Sequence, residues 1–176
     1  IDTLAKTGIF SFTECVLLNR GPAAESLLPL DYDIEGDLDV LLYSHTSGSA
    51  NLVRNNRDYT VRDDSERAGF QRLTGARHAI RADLDDDGDV DVLLADDQGR
   101  IRWHDNLRLG RFDDRPEPVL NGLTDIWAVA SGDMDNDGDL DILAASEQQG
   151  VMLLRNIMKD GGQSAFQKPL AVTPAG

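Results

Sequence analysis

The chain has 176 residues and a formal net charge of −15, because it carries 32 Asp and Glu against 17 Lys and Arg. This charge repels phosphate backbones and anionic membrane surfaces, so we expect no nucleic-acid partner. No apolar run approaches the ~20 residues that span a bilayer, so we expect no membrane insertion either. Cys15 is the single cysteine, which excludes an intrachain disulfide and a multi-cysteine zinc site. A domain of this composition attracts cations instead.

The acidic residues are concentrated in three nine-residue windows. These windows span residues 31–39, 83–91 and 133–141 and hold 16 of the 32 acidic side chains. Like charges this close repel one another unless a cation lies among them. The windows begin 52 and 50 residues apart, and a fixed period of roughly 20–50 residues indicates a repeat architecture.

Each repeat contains about four short apolar and β-branched runs separated by turn residues, without helical periodicity. The run after each window is apolar at consecutive positions, as in a strand covered on both faces: Val40–Tyr43, Val92–Ala95 and Ile142–Ala145. Four-stranded units that stack face to face in this way are propeller blades. The expected fold class is therefore all-β, a β-propeller of four-stranded antiparallel blades with about three and a half blades present.

The predicted domain boundaries follow this period in chain order. Phe12 and Gly21 repeat the aromatic residue and the glycine that close each later repeat. We therefore predict the end of a preceding blade at residues 1–24, followed by three complete blades at residues 25–74, 75–124 and 125–176.

The acidic windows have the pattern Asp-x-Asp-x-Asp-Gly, which suits a hard cation. Calcium takes six to eight oxygen ligands, and carboxylates at alternate positions of a tight loop can all point inward. Glycine at position six permits the sharp turn. We expect side-chain ligands from positions one, three, five and nine, and the carbonyl oxygen of position seven. An EF-hand is excluded, because Leu42, Leu94 and Ala144 stand where its closing Glu would be.

The predicted cofactor is Ca²⁺, with up to three ions, and Mg²⁺ is the weaker alternative because it retains more waters. Loop 31–39 has the weakest pattern, since Glu35 replaces Asp at position five and Ile34 is apolar. The competing interpretation is that Asp and Gly simply form turns here. The candidate metal ligands are Asp31, Asp33, Glu35, Asp37, Asp39, Asp83, Asp85, Asp87, Asp89, Asp91, Asp133, Asp135, Asp137, Asp139 and Asp141.

The loops and the strands that follow them resemble the FG-GAP/VCBS repeats of integrin-α-like β-propellers. The motifs that carry this resemblance lie in residues 100–112, 133–142 and 150–156, and residues 52–69 are similar to repeats in cartilage-acidic-protein-like secreted proteins. The resemblance implies seven or eight blades and calcium in the loop that joins the first two strands of a blade. It also implies an extracellular, cell-surface or periplasmic location.

About three and a half repeats cannot close a ring of seven. We therefore expect a fragment of a larger propeller, or a chain completed by association as a homo- or hetero-oligomer. The first residue, Ile1, also favours a processed chain or a piece of a longer one. The expected partners are a protein or further propeller blades, with carbohydrate as a further class.

Residues suited to catalysis are sparse. His45, His78 and His104 are scattered, without a partner at nucleophile or metal spacing, and His104 is expected on a blade surface. Trp103 and Trp127 could stack on a sugar ring, although a strand Trp more often packs between blades. The sequence therefore predicts a non-catalytic, calcium-binding module for protein or carbohydrate interaction.

The alternative function is part of a propeller lyase or hydrolase that acts on acidic polysaccharide. This alternative requires basic residues such as Arg77, Arg81 or His78 to converge at one end of the propeller axis. The loose basic stretch around them is otherwise interpreted as a solvated surface that offsets the acidic loops.

Overall fold

The computed structural model describes residues 24–58, 60–70, 75–108, 110–158 and 165–172. These residues form three four-stranded antiparallel sheets, each made from four strands that are consecutive in the chain. The preceding blade predicted at residues 1–24 lies outside the described residues, except for Ala24.

Three sheets account for almost all of the regular structure. Sheet 1 consists of β1 (Ser26–Leu30), β2 (Asp39–Ser44), β3 (Ser49–Asn55) and β4 (Val61–Asp63). Sheet 2 consists of β5 (Ala76–Ala82), β6 (Asp91–Asp96), β7 (Ile101–Asn106) and β8 (Phe112–Arg115). Sheet 3 consists of β9 (Ile126–Gly132), β10 (Asp141–Ser146), β11 (Gly150–Leu154) and β12 (Leu170–Ala171).

Helix is nearly absent from the described residues. A four-residue helix, α1 (Ser65–Ala68), follows sheet 1, and a 3₁₀ turn (Leu120–Gly122) follows sheet 2. None of the described residues forms a helix long and apolar enough to cross a membrane. The three sheets fall within the three predicted blade segments, and each acidic window is the loop between the first two strands of its sheet.

The sheets stack face to face and share two apolar cores. All six residues of β6 are buried. Val92 and Leu94 belong to the core shared with sheet 1, whereas Leu93 and Ala95 belong to the core shared with sheet 3. Consecutive apolar residues in β6 therefore face opposite cores, because side chains alternate across a strand. The expectation of an all-β fold of stacked four-stranded antiparallel blades is confirmed.

Sheet 3 differs from sheet 2 in this respect. Side chains on β10 alternate between buried and half-buried: Ile142 and Ala144 are buried, whereas Leu143 and Ala145 are only half-buried. The expectation of two covered faces is thus right for β6, whereas the described residues bury only one face of β10. We call the second face of sheet 3 its outer face, defined by Ala128, Ala130, Leu143, Ala145, Val151, Leu153 and Leu170.

Candidate metal centres

The three acidic loops share one backbone conformation. Position six is glycine in the left-handed region, with φ of 85°, 90° and 93° at Gly36, Gly88 and Gly138. Position four is also left-handed, with φ of 59°, 60° and 65° at Ile34, Asp86 and Asn136. Glycine adopts this conformation at no steric cost, and Asn and Asp tolerate it better than a β-branched residue does. The loop pattern in the sequence therefore encodes one tight turn, used three times.

The aspartate at position one holds this turn closed. In loop 83–91, the carboxylate of Asp83 accepts hydrogen bonds from the backbone N–H groups of Asp87 (3.2 Å) and Gly88 (3.1 Å). Asp31 accepts from positions five and six of its loop in the same way, and Asp133 does so in the third loop. The first carboxylate of each loop is thereby fixed against the turn and leaves its remaining lone pairs for a cation.

The aspartate at position nine is buried at the start of the second strand. Asp91 is fully buried, and it accepts hydrogen bonds from the N–H groups of Leu84 (3.1 Å) and Asn106 (2.9 Å). Burial raises the pKa of Asp91 to about 7 and that of Asp39 to about 6, although backbone N–H donors oppose this shift. Burial disfavours the ionised carboxylate, so a bound cation would stabilise this group in its charged form.

Several of the expected ligands lie close together. Their carboxylate oxygens lie within 4.8 Å of one another in four groups: Asp31, Asp33, Asp37 and Asp39; Asp83, Asp85 and Asp87; Asp85, Asp91 and Asp105; and Asp133, Asp135 and Asp141. Carboxylate oxygens at such separations can share one ion with ligand distances of ~2.3–2.6 Å. All three loops thus gather at least three carboxylates.

The side chains of other expected ligands point to protein partners. Glu35 pairs with Arg54, and Asp137 accepts a hydrogen bond from the N–H of Asp139 at 3.0 Å. Asp89 pairs with Arg108 at 3.0 Å, which leaves its carbonyl oxygen as its expected contribution. In loop 31–39 the side chain of position seven, Asp37, joins the group, where we had expected a carbonyl oxygen.

Three buried oxygens in these groups have neither a hydrogen-bond donor nor an ion-pair partner among the described residues. They are Oδ1 of Asp33, Oδ2 of Asp39 and Oδ1 of Asp85. The side chain of Asp33 is 5% exposed, and that of Asp85 is 14% exposed. A buried carboxylate oxygen without a donor is unfavourable, and a hard cation would satisfy it. The residues present therefore fit a calcium ion.

Sequence reasoning missed Asp105, which lies outside the acidic windows. It is on β7, and its carboxylate joins Asp85 and Asp91. Burial and the charge of Asp85 raise the pKa of Asp105. Arg115 pairs with both Asp85 (2.6 Å) and Asp105 (3.3 Å) and lies 4.3 Å over the ring of Trp103. Aligning the three repeats would have shown an acidic residue at this strand position in the second repeat alone.

Sequence reasoning also missed a recurrent asparagine that joins neighbouring loops. Asn106 Nδ2 donates to the carbonyl of Tyr32 in the first loop at 2.9 Å. Asn156 Nδ2 donates to the carbonyl of Leu84 in the second loop at 2.8 Å. Asn106 ends β7 and Asn156 lies two residues after the end of β11, and each reaches position two of the preceding loop. The three loops are therefore linked in series.

The histidine and tryptophan candidates have structural surroundings. His104 is buried, which corrects the expectation of a surface residue, and its Nδ1 lies 2.7 Å from Asp114. Burial lowers the pKa of His104 to about 4 and outweighs the opposing effect of Asp114. Trp103 is buried against Phe166, as expected for packing between blades. The packing expectation for Trp127 is wrong within the described residues, because its side chain is 59% exposed.

Comparison with known proteins identifies the repeat. Residues 83–144 match the family model of the FG-GAP-like repeat, and this segment contains the second and third acidic loops. No curated protein matches the sequence, so the narrower likeness to cartilage-acidic-protein-like proteins stays a prediction.

A solved structure has a similar fold. It is a lectin from Agrocybe aegerita, described as recognising non-reducing terminal N-acetylglucosamine, with 18% sequence identity and a TM-score of 0.52. The similarity covers 84% of this chain and 39% of the lectin chain, so this chain spans well under half of that protein. At 18% sequence identity, the similarity to this lectin shows a similar fold and does not by itself indicate a shared ligand. Together with the repeated loops and sheets, the family match shows that the chain carries an FG-GAP-like repeat at residues 83–144.

Proposed function

We propose that this chain is a calcium-stabilised, non-catalytic repeat module that serves protein or carbohydrate interaction in an extracellular, cell-surface or periplasmic assembly. The observation that carries this proposal is the repetition of one loop conformation, which each time gathers three or more carboxylates. The FG-GAP-like repeat supports a module for interaction. Calcium would act here as a structural ion that neutralises buried carboxylates.

The geometry gives calcium a stabilising role. The carboxylates of Asp91 and Asp39 are buried at the start of the second strands, where ionisation is unfavourable without a counter-charge. A ligand that binds only the folded state stabilises it by RT ln(1 + [L]/Kd), about 2.7 kcal/mol per site when its concentration is 100 times Kd. Two or three such sites would give much of the stability of a small domain.

Unfolding in calcium and in chelator tests this proposal. We expect the midpoint of thermal unfolding to rise by several degrees between excess chelator and millimolar calcium. Asp83→Asn should reduce this rise, because Asp83 both closes its loop and belongs to the metal group. Asp113→Asn is the matched control, since Asp113 is exposed on the neighbouring strand β8, outside the metal groups. Equal midpoints in calcium and chelator would contradict the calcium assignment.

The exposed apolar residues on the outer face of sheet 3 favour a partner that is itself a β-sheet. Val151 and Leu170 on this face are 45% and 54% exposed. In sheet 2 the residue at the position of Val151 is Ile101, which is 6% exposed because sheet 3 covers it. Exposed apolar patches of this kind mark interaction sites in soluble proteins. We propose that a further four-stranded sheet of the same type covers this face in the assembly.

The native mass of the chain, measured in calcium and in chelator, tests this docking. We expect a defined dimer or larger species in calcium, because a second copy can supply the missing sheet. Val151→Asp should shift this species to the monomer, since it buries a charge in the contact. Glu147→Gln, in an exposed turn, is the control. A monomer at all concentrations would contradict association between copies.

Carbohydrate is the other ligand class in this proposal. The lectin with a similar fold is described as recognising non-reducing terminal N-acetylglucosamine. Trp127 is an exposed aromatic side chain that could stack on a sugar ring. Titration of the chain with N-acetylglucosamine, followed by tryptophan fluorescence, tests this idea. A change that is lost in Trp127→Ala would support it, and an unchanged spectrum at millimolar sugar would count against this sugar.

The contacts of the basic residues give less support to the polysaccharide lyase or hydrolase alternative. Arg81 donates to the carbonyl of Pro29 in sheet 1 at 2.6 Å. Arg77 donates to the carbonyl of Asp97 at 3.1 Å, and His78 Nδ1 accepts from the N–H of Val129 in sheet 3 at 3.3 Å. Arg81 and His78 join backbone segments of different sheets, and Arg77 binds the turn after β6 of its own sheet, so each has a structural explanation. We therefore favour the non-catalytic module.

A further inference from the structure

The three acidic loops share a backbone but differ in the side chain that approaches them from the third strand. Strand pairing aligns Val40 with Val53, Val92 with His104 and Ile142 with Leu154. The residue that follows, which is on the third strand in sheets 1 and 2 and directly after it in sheet 3, therefore occupies one equivalent position in each sheet. That residue is Arg54 in sheet 1, Asp105 in sheet 2 and Arg155 in sheet 3.

In sheets 1 and 3 this residue places a guanidinium on the loop carboxylates. Arg54 Nη2 lies 2.9 Å from Oδ2 of Asp33 and also pairs with Glu35. Arg155 pairs with Asp135, and its Nη2 lies 3.6 Å from Oδ2 of Asp137. Each arginine thus contacts position three, an expected ligand. A metal ion at these loops competes with a positive charge that is already part of the chain.

In sheet 2 the same position supplies a carboxylate instead. Asp105 forms a group of three with Asp85 and Asp91, and this group shares Asp85 with the separate group of Asp83, Asp85 and Asp87. With Asp105, seven acidic side chains lie in or beside the second loop, whereas the first and third loops have five each. Calcium takes six to eight oxygen ligands, and its affinity rises with the number of charged ligands. The second loop therefore has the most acidic surroundings of the three.

Arg115 also approaches the second loop, but from another direction. It comes from β8, stacks over Trp103 and contacts Oδ2 of Asp85. Oδ1 of Asp85 is left buried without a donor among the described residues. Arg115 thus places a positive charge on position three of the second loop, as Arg54 and Arg155 do in their loops. Asp105, which Arg115 also contacts at 3.3 Å, adds a negative charge that the other two loops lack. In the first loop, the 95% buried side chain of Asp33 likewise presents an Oδ1 without a donor.

We propose that the three loops bind calcium with graded affinity, with loop 83–91 and Asp105 forming the tightest site, and with Arg54 and Arg155 weakening the other two as internal competing cations. This inference rests on the proposed function, and it adds an order of occupation and the residue that sets it. The second loop fills first, as calcium rises. The first and third loops fill later, when calcium displaces a guanidinium from position three.

Calorimetric titration of the calcium-depleted full chain with calcium chloride tests the grading. We expect Asp105→Asn to weaken the tightest step by about tenfold or more, since one charged ligand is lost. Asp83→Asn identifies that step as the second loop, because Asp83 belongs only to it. Asp113→Asn, with the same change of charge on the adjacent strand, should leave the tightest step unchanged.

The reciprocal change separates metal binding from folding defects. Arg155→Gln should strengthen one of the weaker steps by about tenfold, because it removes the competing charge. A gain of affinity cannot come from a damaged fold. Calcium binding in which Asp105→Asn and Arg155→Gln both titrate like the unaltered chain would overturn this inference alone. A chain that takes up no calcium at all would overturn the proposed function, and the inference with it.

Discussion

Sheets 2 and 3 have the same strand order and the same loop, yet their surroundings differ. The second strand of sheet 2 is buried on both faces, whereas that of sheet 3 is buried on one. Leu93 and Leu143 stand at the same position of these strands, and Leu93 is fully buried while Leu143 is only half-buried. Both strands are apolar at consecutive positions, so β10 also has the sequence of a strand that a neighbouring sheet covers on each face. The strand order and the loop are therefore encoded within one blade, whereas the burial of its second face depends on the neighbouring blade.

The largest expected difference comes from truncating these two leucines. Leu93→Ala should lower the free energy of unfolding by about 3–4 kcal/mol, because it leaves a cavity between sheets 2 and 3. Leu143→Ala should cost only about 1 kcal/mol, because its side chain has less apolar area removed from water. Urea unfolding followed by circular dichroism, in chelator and at a protein concentration where the chain is a monomer, measures both. Equal losses would show that another sheet already covers the outer face of sheet 3 in solution.

A second comparison uses glycine at a covered and at an open position. A Cβ on Gly110 would lie 2.7 Å from Cε2 of Tyr32 and 2.9 Å from Cβ of Asp33, at the boundary between sheets 1 and 2. Gly150, at the start of β11, has no atom within 4 Å of its Cβ position. Both have positive φ, 71° and 74°, so the conformational cost of alanine is similar.

We therefore expect Gly110→Ala to cost about 3 kcal/mol and Gly150→Ala about 1 kcal/mol, the difference being the steric term. Unfolding in urea gives both values. Equal stability of the two variants would show that the first loop moves to accommodate the added methyl group, so that close packing at this boundary does not contribute to the free energy of unfolding.

The parts of the fold that could be predicted are those encoded by the sequence of a single repeat. The spacing of the acidic windows and the apolar runs gave the number of sheets and the positions of β2, β6 and β10. Glycine at position six indicated the sharp turn, and the alternating aspartates indicated which side chains turn inward. These features are local, so neighbouring residues in the sequence are also neighbours in space.

The features that escaped prediction depend on contacts between distant segments. Asp105 meets Asp91 because β6 and β7 pair in one particular register, which the sequence does not state. Asn156 meets Leu84 across 72 residues, and the contact exists only once two sheets have stacked. The burial of His104 likewise follows from Phe70, which comes from the segment after sheet 1 and lies 5.4 Å away between ring centres. Alignment of the three repeats would have singled out Asp105 and the recurrent asparagine.

The asparagine bridges provide a third and smaller test of stacking. Asn156 Nδ2 donates to the carbonyls of Leu84 (2.8 Å) and Leu140 (3.2 Å), one in each of two loops. At the same position of sheet 1, Asn55 Nδ2 donates only to the carbonyl of Leu38 in its own loop, at 3.5 Å, among the described residues.

Asn156→Ala should therefore cost about 2 kcal/mol, because it leaves two buried carbonyl groups with fewer donors, and Asn55→Ala less than about 1 kcal/mol. Chemical unfolding measures the difference. A loss at Asn55 as large as that at Asn156 would indicate that Asn55 also bridges to a preceding loop.

The smallest expected effect concerns position four of the loops, where the three repeats use different residues for one conformation. Ile34 has φ of 59° and its side chain is 55% exposed, whereas the third loop has Asn136 with φ of 65°. A β-branched side chain in the left-handed region costs roughly 1–2 kcal/mol, and asparagine lowers this cost through local hydrogen bonds. Ile34→Asn should thus raise the free energy of unfolding by about 1 kcal/mol, and Asn136→Ile should lower it by a similar amount. Both are to be measured in chelator, where metal binding does not contribute. A loss in Ile34→Asn would mean that the isoleucine side chain makes a stabilising contact despite its exposure, and that the first loop follows a different rule from the third.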